Sequence, residues 1–577
     1  MRTRLFVAAL CLVGVVAPSL GSGDPGRSSQ SGVRANGQTP PPGSGDRAPF
    51  NDSIRIQDMK PRLFFLASDE TQGRLADTVG ARLAAEWVKS EFWRLGLTPA
   101  GPNGSYFQPF DLATATLGSR ANALAITDGA NERRELTHLT DFYTHRFSAS
   151  GSAEGPVVFA GFGITSPERN HDDLKGAAIK GAVVLALDHE PGENDPASPF
   201  DGVVRAEASG ALRKALFAQS RGASALLIVS DVHNHPDAED FARNARGYWP
   251  EQRPRLEPLT LASWMEQVKI PVAQISVEAA SALVGGTGKT LADLAKSAEV
   301  AGGVTALALP NAYAQIAASV DRHIVPDRNV VGILEGSDPK LKDEVVIICG
   351  HYDHNGMDGA RVFPGADDDG SGVVAVVEMA EAYVLAAQAG KRPRRSILFA
   401  AWDTEERGLL GAWAYAEQPS RPLAKTVAVL NMDMIGRNEE VPEGQGNSAR
   451  FRGLDVQTAA SNNNAINVIG TSKSADLKAA TEKANQAFGL ELKFRYDNNT
   501  SNLMRRSDHW PFLQKGVPAL WFHTGLHPDY HTINDRPERV NYEKMEKITR
   551  MIHQMSWDLA NADGRPRFEP AKPTSIQ

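Results

Sequence analysis

Five short segments between residues 350 and 535 hold the side chains with the most chemical reach. They are Gly350-His351-Tyr352-Asp353, Gly365-Ala366-Asp367-Asp368-Asp369-Gly370-Ser371-Gly372, Asp403-Thr404-Glu405-Glu406, Asn431-Met432-Asp433-Met434 and Asp529-Tyr530-His531-Thr532. Each offers one or two imidazole or carboxylate groups able to hold zinc. Two metal ions side by side need a shared carboxylate, flanking His and carboxylate ligands, and a further carboxylate to move protons. The five segments supply all of these, and the chemistry they fit is metal-assisted hydrolysis.

Taken singly, the motifs leave choices open. A metal-bound His usually gives its second ring N–H to a carboxylate, so Asp353 is either the orienter of His351 or a ligand itself. Three adjacent carboxylates, Asp367, Asp368 and Asp369, repel one another, and a bound cation would relieve them. An acidic helix start is the plainer account of the same triplet. Glu405 and Glu406 are consecutive, so their side chains diverge, one toward metal and the other toward substrate. His523, His527 and His531 fall within nine residues of a chain that has 14 histidines. His531 is the ligand candidate among them, with Tyr530 beside it and Asp535 as a candidate orienter. His523, His527 and His509 read as packing or supporting residues.

Positioning these groups requires an alternating α/β chain. Apolar runs at 344–349, 396–401, 426–430 and 517–522 predict strands, and 372–389 and 409–416 predict helices. Near-continuous apolar strands separated by helices imply a mostly parallel mixed sheet buried on both faces. His351, the Glu405-Glu406 pair and Asp433 each follow a strand, so the topology carries them to one edge, where α/β sheets bind ligands. Upstream, 55–112 reads as helical, with Leu83, Ala84, Val88, Phe92 and Leu95 near helical spacing and Gly96 and Pro99 as a stop. Residues 150–305 change character. β-rich runs at 156–160, 182–187 and 225–229, Gly-rich turns and a helix over 206–219 predict a separate inserted domain.

The ends and the composition set bounds. At 577 residues the chain is too long for one compact core. Arg2, Arg4, a short apolar run over 5–16 and small residues at 19–21 read as a secretory signal over 1–21, which makes the protein exported, periplasmic or extracellular. Residues 22–50 read as a Gly/Ser/Pro-rich disordered linker and 564–577 as a disordered tail. Removal of the signal leaves Cys349 as the single cysteine, so the mature chain forms no internal disulfide. A net charge of −8 gives no support for nucleic-acid binding.

Together the five motifs resemble the co-catalytic zinc aminopeptidases and carboxypeptidases of the bacterial secreted aminopeptidase and glutamate carboxypeptidase type. The resemblance covers roughly 55–140 and 310–560 and places the peptidase domain over 51–140 and 310–563. In that family the bridging Asp immediately precedes a residue followed by Gly or Ala, Ser and Gly, which selects Asp368. The resemblance implies two Zn2+ ions, with Co or Mn as possible substitutes. One would be held by Asp368, Glu406 and His531, the other by Asp368, His351 and Asp433. It further implies Glu405 as general base, Asp353 as the carboxylate behind His351, and Tyr530 as a group polarising the scissile carbonyl. Gly155-Pro156-Val157-Val158, Gly161-Phe162-Gly163-Ile164 and Asp172-Asp173-Leu174-Lys175-Gly176 look like a protease-associated domain, placed over 145–305.

The expected activity is removal of N-terminal residues from a peptide substrate, with no nucleic acid, no stable membrane insertion after signal cleavage, and an open oligomeric state. A carboxypeptidase or dipeptidase on the same scaffold needs a basic group for the substrate carboxylate, for which Arg505 and Arg506 are candidates. A receptor-like binding protein, or a one-zinc cyclase acting on N-terminal Gln, are further alternatives.

Overall fold

The structure, a computed structural model, describes residues 47–569 except 177, 178, 238, 239, 447 and 449. The expected signal, most of the expected linker and residues 570–577 lie outside the described residues. Four strands form the centre of a ten-stranded mixed sheet: β1 (Val345–His351), β2 (Ser396–Trp402), β3 (Thr426–Met432) and β4 (Ala519–His523). They lie in the order β2-β1-β3-β4 and are mutually parallel. All residues of β1 and β2 are buried, as strands covered on both faces must be. Antiparallel strands extend the sheet on both sides, Val320–Leu334 beside β2 and Ala465–Ile469 beside β4.

Helices cover both faces, giving the α/β architecture read from the sequence. On one face α1 (Val79–Leu95), α2 (Gly372–Gln388) and α3 (Tyr542–Asn561) bury their apolar sides against the sheet in one core cluster. On the other, Leu410–Glu417 and His509–Gln514 pack in a second cluster. Thr78 caps α1 by accepting from the Ala81 N–H, and Gly96 ends it in the left-handed region at φ 75°.

A second, eight-stranded sheet is built from the middle of the chain. Its parallel part comprises Gly151–Phe159, Val183–Leu187, Ala225–Val229 and Val272–Ile275. The helix expected over 206–219 is Ala211–Ser220. This sheet also takes in Ala123–Thr127, Arg133–Leu136, Phe142–Thr144 and Leu307–Ala318, so it reaches beyond 145–305 at both ends. The reason is pairing: Leu307–Ala318 bonds to Ala123–Thr127 on one side and Gly151–Phe159 on the other.

Other expectations need correction. The helical reading of 55–112 fails at its end, where Phe107–Leu117 is a strand paired with Val320–Leu334. The packed chain also begins earlier than the expected linker end. Ala48 is buried and its N–H donates to Gln554 Oε1 at 2.7 Å. The expected disordered tail is fixed over 565–569, where Arg565 donates to Thr426 O at 2.7 Å and the Glu569 N–H to Lys473 O at 2.8 Å.

Candidate metal centre

The parallel register sets the site. His351, the last residue of β1, lies opposite Trp402 at the end of β2, and Cys349 lies opposite Asn431 in β3. Glu405, Glu406 and Asp433 therefore leave the same sheet edge as His351. The acidic triplet enters from the turn ahead of α2. Gly365 in that turn has φ 56°, and a Cβ there would lie 2.2 Å from Asp368 O, so only glycine fits. A Cβ on Gly372 would lie 2.0 Å from Met432 O, which lets α2 start directly against the end of β3.

The three carboxylates of the triplet have separate surroundings. Asp369 turns into the backbone, accepting from the N–H groups of His351 (3.0 Å), Gly372 (2.9 Å) and Met434 (3.1 Å). Asp367 accepts from Gly436 N–H at 2.6 Å and lies 3.3 Å from His527 Nε2. Asp368 faces His351 and His531, and it divides its oxygens between them. Oδ1 lies 3.3 Å from His351 Nε2, and Oδ2 lies 3.0 Å from His531 Nε2.

Two ligand sets flank this carboxylate. His351 Nε2 lies 3.6 Å from Asp433 Oδ1 and 3.8 Å from Glu405 Oε2. His531 Nε2 lies 3.0 Å from Glu406 Oε2. His354 joins the second set, with Nδ1 2.7 Å from Glu406 Oε1 and 3.7 Å from Asp368 Oδ2. His351 Nε2, His531 Nε2 and Asp368 Oδ2 are buried without a hydrogen bond despite these short separations. Groups that crowd a common point without bonding to one another fit a bound cation at that point. The donor set of imidazole and carboxylate suits zinc.

Electrostatics agree with the fit. Burial would lower the His531 imidazole, but Glu406 and Asp368 outweigh it and raise it to about 10. Burial would raise Asp368, yet His354, His351 and His531 hold it well below the usual carboxylate range. Burial itself, reinforced by Asp433, Asp508 and Glu406 against the pull of His351, pushes Glu405 well above its ordinary value. A carboxyl with raised proton affinity suits a proton carrier.

Residues 329–556 match the profile of Peptidase family M28. This stretch, hereafter the M28 domain, is similar to the peptidases of that family. A probable zinc metalloprotease of Leptosphaeria maculans is 28% identical over 278 residues, 44% of this chain and 62% of that protein. The probable glutamate carboxypeptidase AMP1 of Arabidopsis thaliana is 27% identical over 403 residues, 68% of this chain and 51% of that one. The chain thus spans only about half to three fifths of the length of these relatives. Among solved structures, an aminopeptidase from Aneurinibacillus sp. strain AM-1 aligns over 92% of this chain and 98% of its own, at 18% identity and a TM-score of 0.45.

Within the M28 domain the geometry sorts the remaining candidates. Asp353 sits behind His351, its Oδ1 3.5 Å from Nδ1, and its carboxylate accepts the N–H groups of Glu405 (2.9 Å) and Glu406 (3.3 Å). Tyr530 stacks on His531 with ring centroids 3.8 Å apart, and its oxygen accepts from Arg506 Nη2 at 3.3 Å. Asp535 does not orient His531. It accepts the backbone N–H of Asp367 (3.0 Å) and of Asp368 (3.1 Å), and so fixes the loop of the acidic triplet instead. The two arginines separate: Arg505 donates to Arg205 O of the second-sheet region at 2.7 Å, whereas Arg506 turns to Tyr530. His523 and His527 are buried, the His523 ring tilted against Trp521 with centroids 4.2 Å apart. His354, Arg74 and Ser507 were missed from sequence. Only His354 carried a signal, being a second imidazole three residues after His351.

Proposed function

We propose that the chain is an exported metallo-exopeptidase that removes N-terminal residues from peptides, in which Asp368 would help to hold each of two zinc ions. The carrying observation is the split of the Asp368 carboxylate, one oxygen toward His351 and the other toward His531. His351 and Asp433 would complete one zinc site, Glu406 and His531 the other. When bound, zinc supplies Lewis acidity, polarising a carbonyl oxygen and bringing water toward deprotonation near neutral pH.

The chain's own residues then do the rest. Glu405 accepts the proton of the attacking water and returns it to the leaving amine, a role its raised proton affinity supports. Asp353 holds both glutamates through their backbone N–H groups and so fixes Glu405 in place. Arg506 donates to the Tyr530 oxygen, which leaves the phenolic O–H free to donate to a developing oxyanion. The surplus of carboxylates at the site suits a substrate ammonium.

One observation favours a second reading. Arg506 is held on the site side, and an arginine there suits a C-terminal substrate carboxylate as well as an oxyanion. Zinc-loaded chain should therefore be assayed on peptides blocked by N-acetylation or by C-amidation, beside Glu405→Gln. Loss on N-acetylation, retention on C-amidation, and a roughly 10²–10⁴-fold fall in kcat for the variant with metal still bound are expected. Cleavage that survives N-acetylation overturns the aminopeptidase assignment, and a variant within a few-fold of wild type overturns Glu405 as base.

A further inference from the structure

The second sheet repeats, on a smaller scale, the topology that builds the M28 centre. Val183–Leu187 and Ala225–Val229 are adjacent parallel strands in register, with Leu187 opposite Val229. The loops that leave their carboxyl ends run side by side, and each carries an imidazole: His189 on the first and His235 on the second. Glu193 stands between them. Its Oε2 lies 2.7 Å from His189 Nδ1 and its Oε1 lies 2.5 Å from His235 Nε2. The two rings face each other with centroids 4.3 Å apart. Glu193 Oε1 is buried yet accepts no hydrogen bond, although an imidazole nitrogen is that close. His189 Nδ1 and Oε2 are aligned as a hydrogen bond, whereas Oε1 and His235 Nε2 crowd without one, as atoms of the M28 centre do.

The frame around the trio is built. Glu299 ties the two loops together, accepting from Gly192 N–H at 2.6 Å and from Asn234 Nδ2 at 2.6 Å. Asp231 accepts from Asn234 Nδ2 at 2.8 Å and from the His233 N–H at 3.0 Å, which fixes the approach to His235. Lys214 Nζ donates to His189 O at 2.7 Å and holds the first loop from beneath. The site also has an entry, since the His235 side chain keeps 42% of its surface exposed while that of Glu193 keeps 14%.

We propose that His189, Glu193 and His235 bind a further divalent metal ion of the zinc type, separate from the M28 centre. Two imidazoles and one carboxylate are a ligand set that zinc accepts, with water able to complete four-fold coordination. The position gives the ion a structural use. The loop that begins at His189 continues to residues 201–205, which grip the M28 domain through Asp201 to Lys473 (2.9 Å) and the Arg205 N–H to Asn502 Oδ1 (3.1 Å). Arg505, Arg506 and Ser507 follow Asn502 after Leu503 and Met504, and Ser507 donates to Asp433 Oδ2 at 2.5 Å. A metal at His189 would therefore anchor one end of a strap whose other end touches the wall of the peptidase site.

Native mass spectrometry of the full chain, stripped with chelator and reloaded from a zinc buffer of low free concentration, counts the ions. The double variant His189→Ala/His235→Ala is expected to hold one zinc fewer than wild type, and Asp368→Asn to keep the ion that the double variant loses. Glu193→Gln, a near-isosteric change, serves as the second variant if the double one fails to fold by circular dichroism, and it should also lose one ion. Cobalt loading adds a check, because the visible bands of the Asp368→Asn protein should vanish when Glu193→Gln is added. Equal zinc counts in wild type and in folded His189/His235 or Glu193 variants overturn the proposal. A low count in wild type caused by an empty M28 centre is recognised separately, because Asp368→Asn then changes nothing.

Discussion

Asp368 and His354 mark the two ends of what single residues disclose. Asp368 could be picked from a triplet of equals because the family the chain resembles sets one residue between the bridging Asp and a Gly-Ser-Gly. The structure gives the physical ground, since Asp369 commits both oxygens and Asp367 its Oδ1 to backbone N–H groups, whereas Asp368 commits neither. His354 was passed over because nothing about its type distinguishes it from a supporting histidine. Its place does: it is fully buried, with Nδ1 2.7 Å from Glu406 Oε1. That contact fixes which Glu406 oxygen turns toward His531, together with Asn355 Nδ2 donating to the same Oε1 at 2.8 Å. Partners that orient a ligand typically change metal affinity by about 10–100-fold when removed. His354→Ala should therefore weaken zinc binding by about that factor at the Glu406 side, read by competition with a chromophoric chelator. Unchanged affinity would show that His354 merely fills space.

Among the elements, the parallel strands and their helices were legible because burial on both faces forces near-continuous apolar runs, as in β1 and β2. The strand Phe107–Leu117 was not. It carries Pro109, and its burial follows no clean alternation. It lies second from the sheet edge, where its outer neighbour Thr260–Leu261 pairs only with Leu112 and Ala113, so Pro109 removes no ladder bond on that side. Arg74 was equally illegible, since a buried arginine has no sequence signature. Its guanidinium donates to Tyr352 O (2.7 Å), Leu66 O (2.9 Å), Pro364 O (2.6 Å) and Gly365 O (2.8 Å). One side chain thus joins the loop after β1, the turn before α2 and the N-terminal helical segment. Arg74→Met would leave several buried carbonyls unpaired, at roughly 1–3 kcal/mol each. A loss of about 3 kcal/mol or more in urea unfolding is expected, and Arg74→Lys should recover only part of it because an ammonium lacks the planar fork. A loss below about 0.5 kcal/mol would sink the bracing role.

For the molecule as a whole, stability rests on packing, since among the described residues Cys349 is a buried free thiol. Packing of this density buries histidines as neutral groups, and that makes stability depend on pH. His553 of α3 is the clearest case, remote from the metal ligands. Its ring packs edge-on against Tyr383 at 4.9 Å, its Nδ1 lies 3.2 Å from Asn51 Nδ2, and Nε2 has no partner. Burial lowers it from 6.5 to about 3. Between those values the unfolded chain holds a proton on this ring and the folded chain does not. Stability from this group is thus complete above about pH 6.5 and falls as pH drops toward 3, by about 1.4 kcal/mol per unit. His145 of the second-sheet region, lowered to about 4 by burial, adds a loss of the same sign in its own window. Metal release in acid would act in the same direction, so the comparison must be between chains that share the metal centre. Urea unfolding of wild type and His553→Gln at pH 7.5, 6.0 and 5.0 makes it. The stability difference between them should move by about 2 kcal/mol in favour of the variant between pH 7.5 and 5.0, because the amide cannot titrate. Parallel curves across that range would mean that His553 is protonated, or reached by water, in the folded protein.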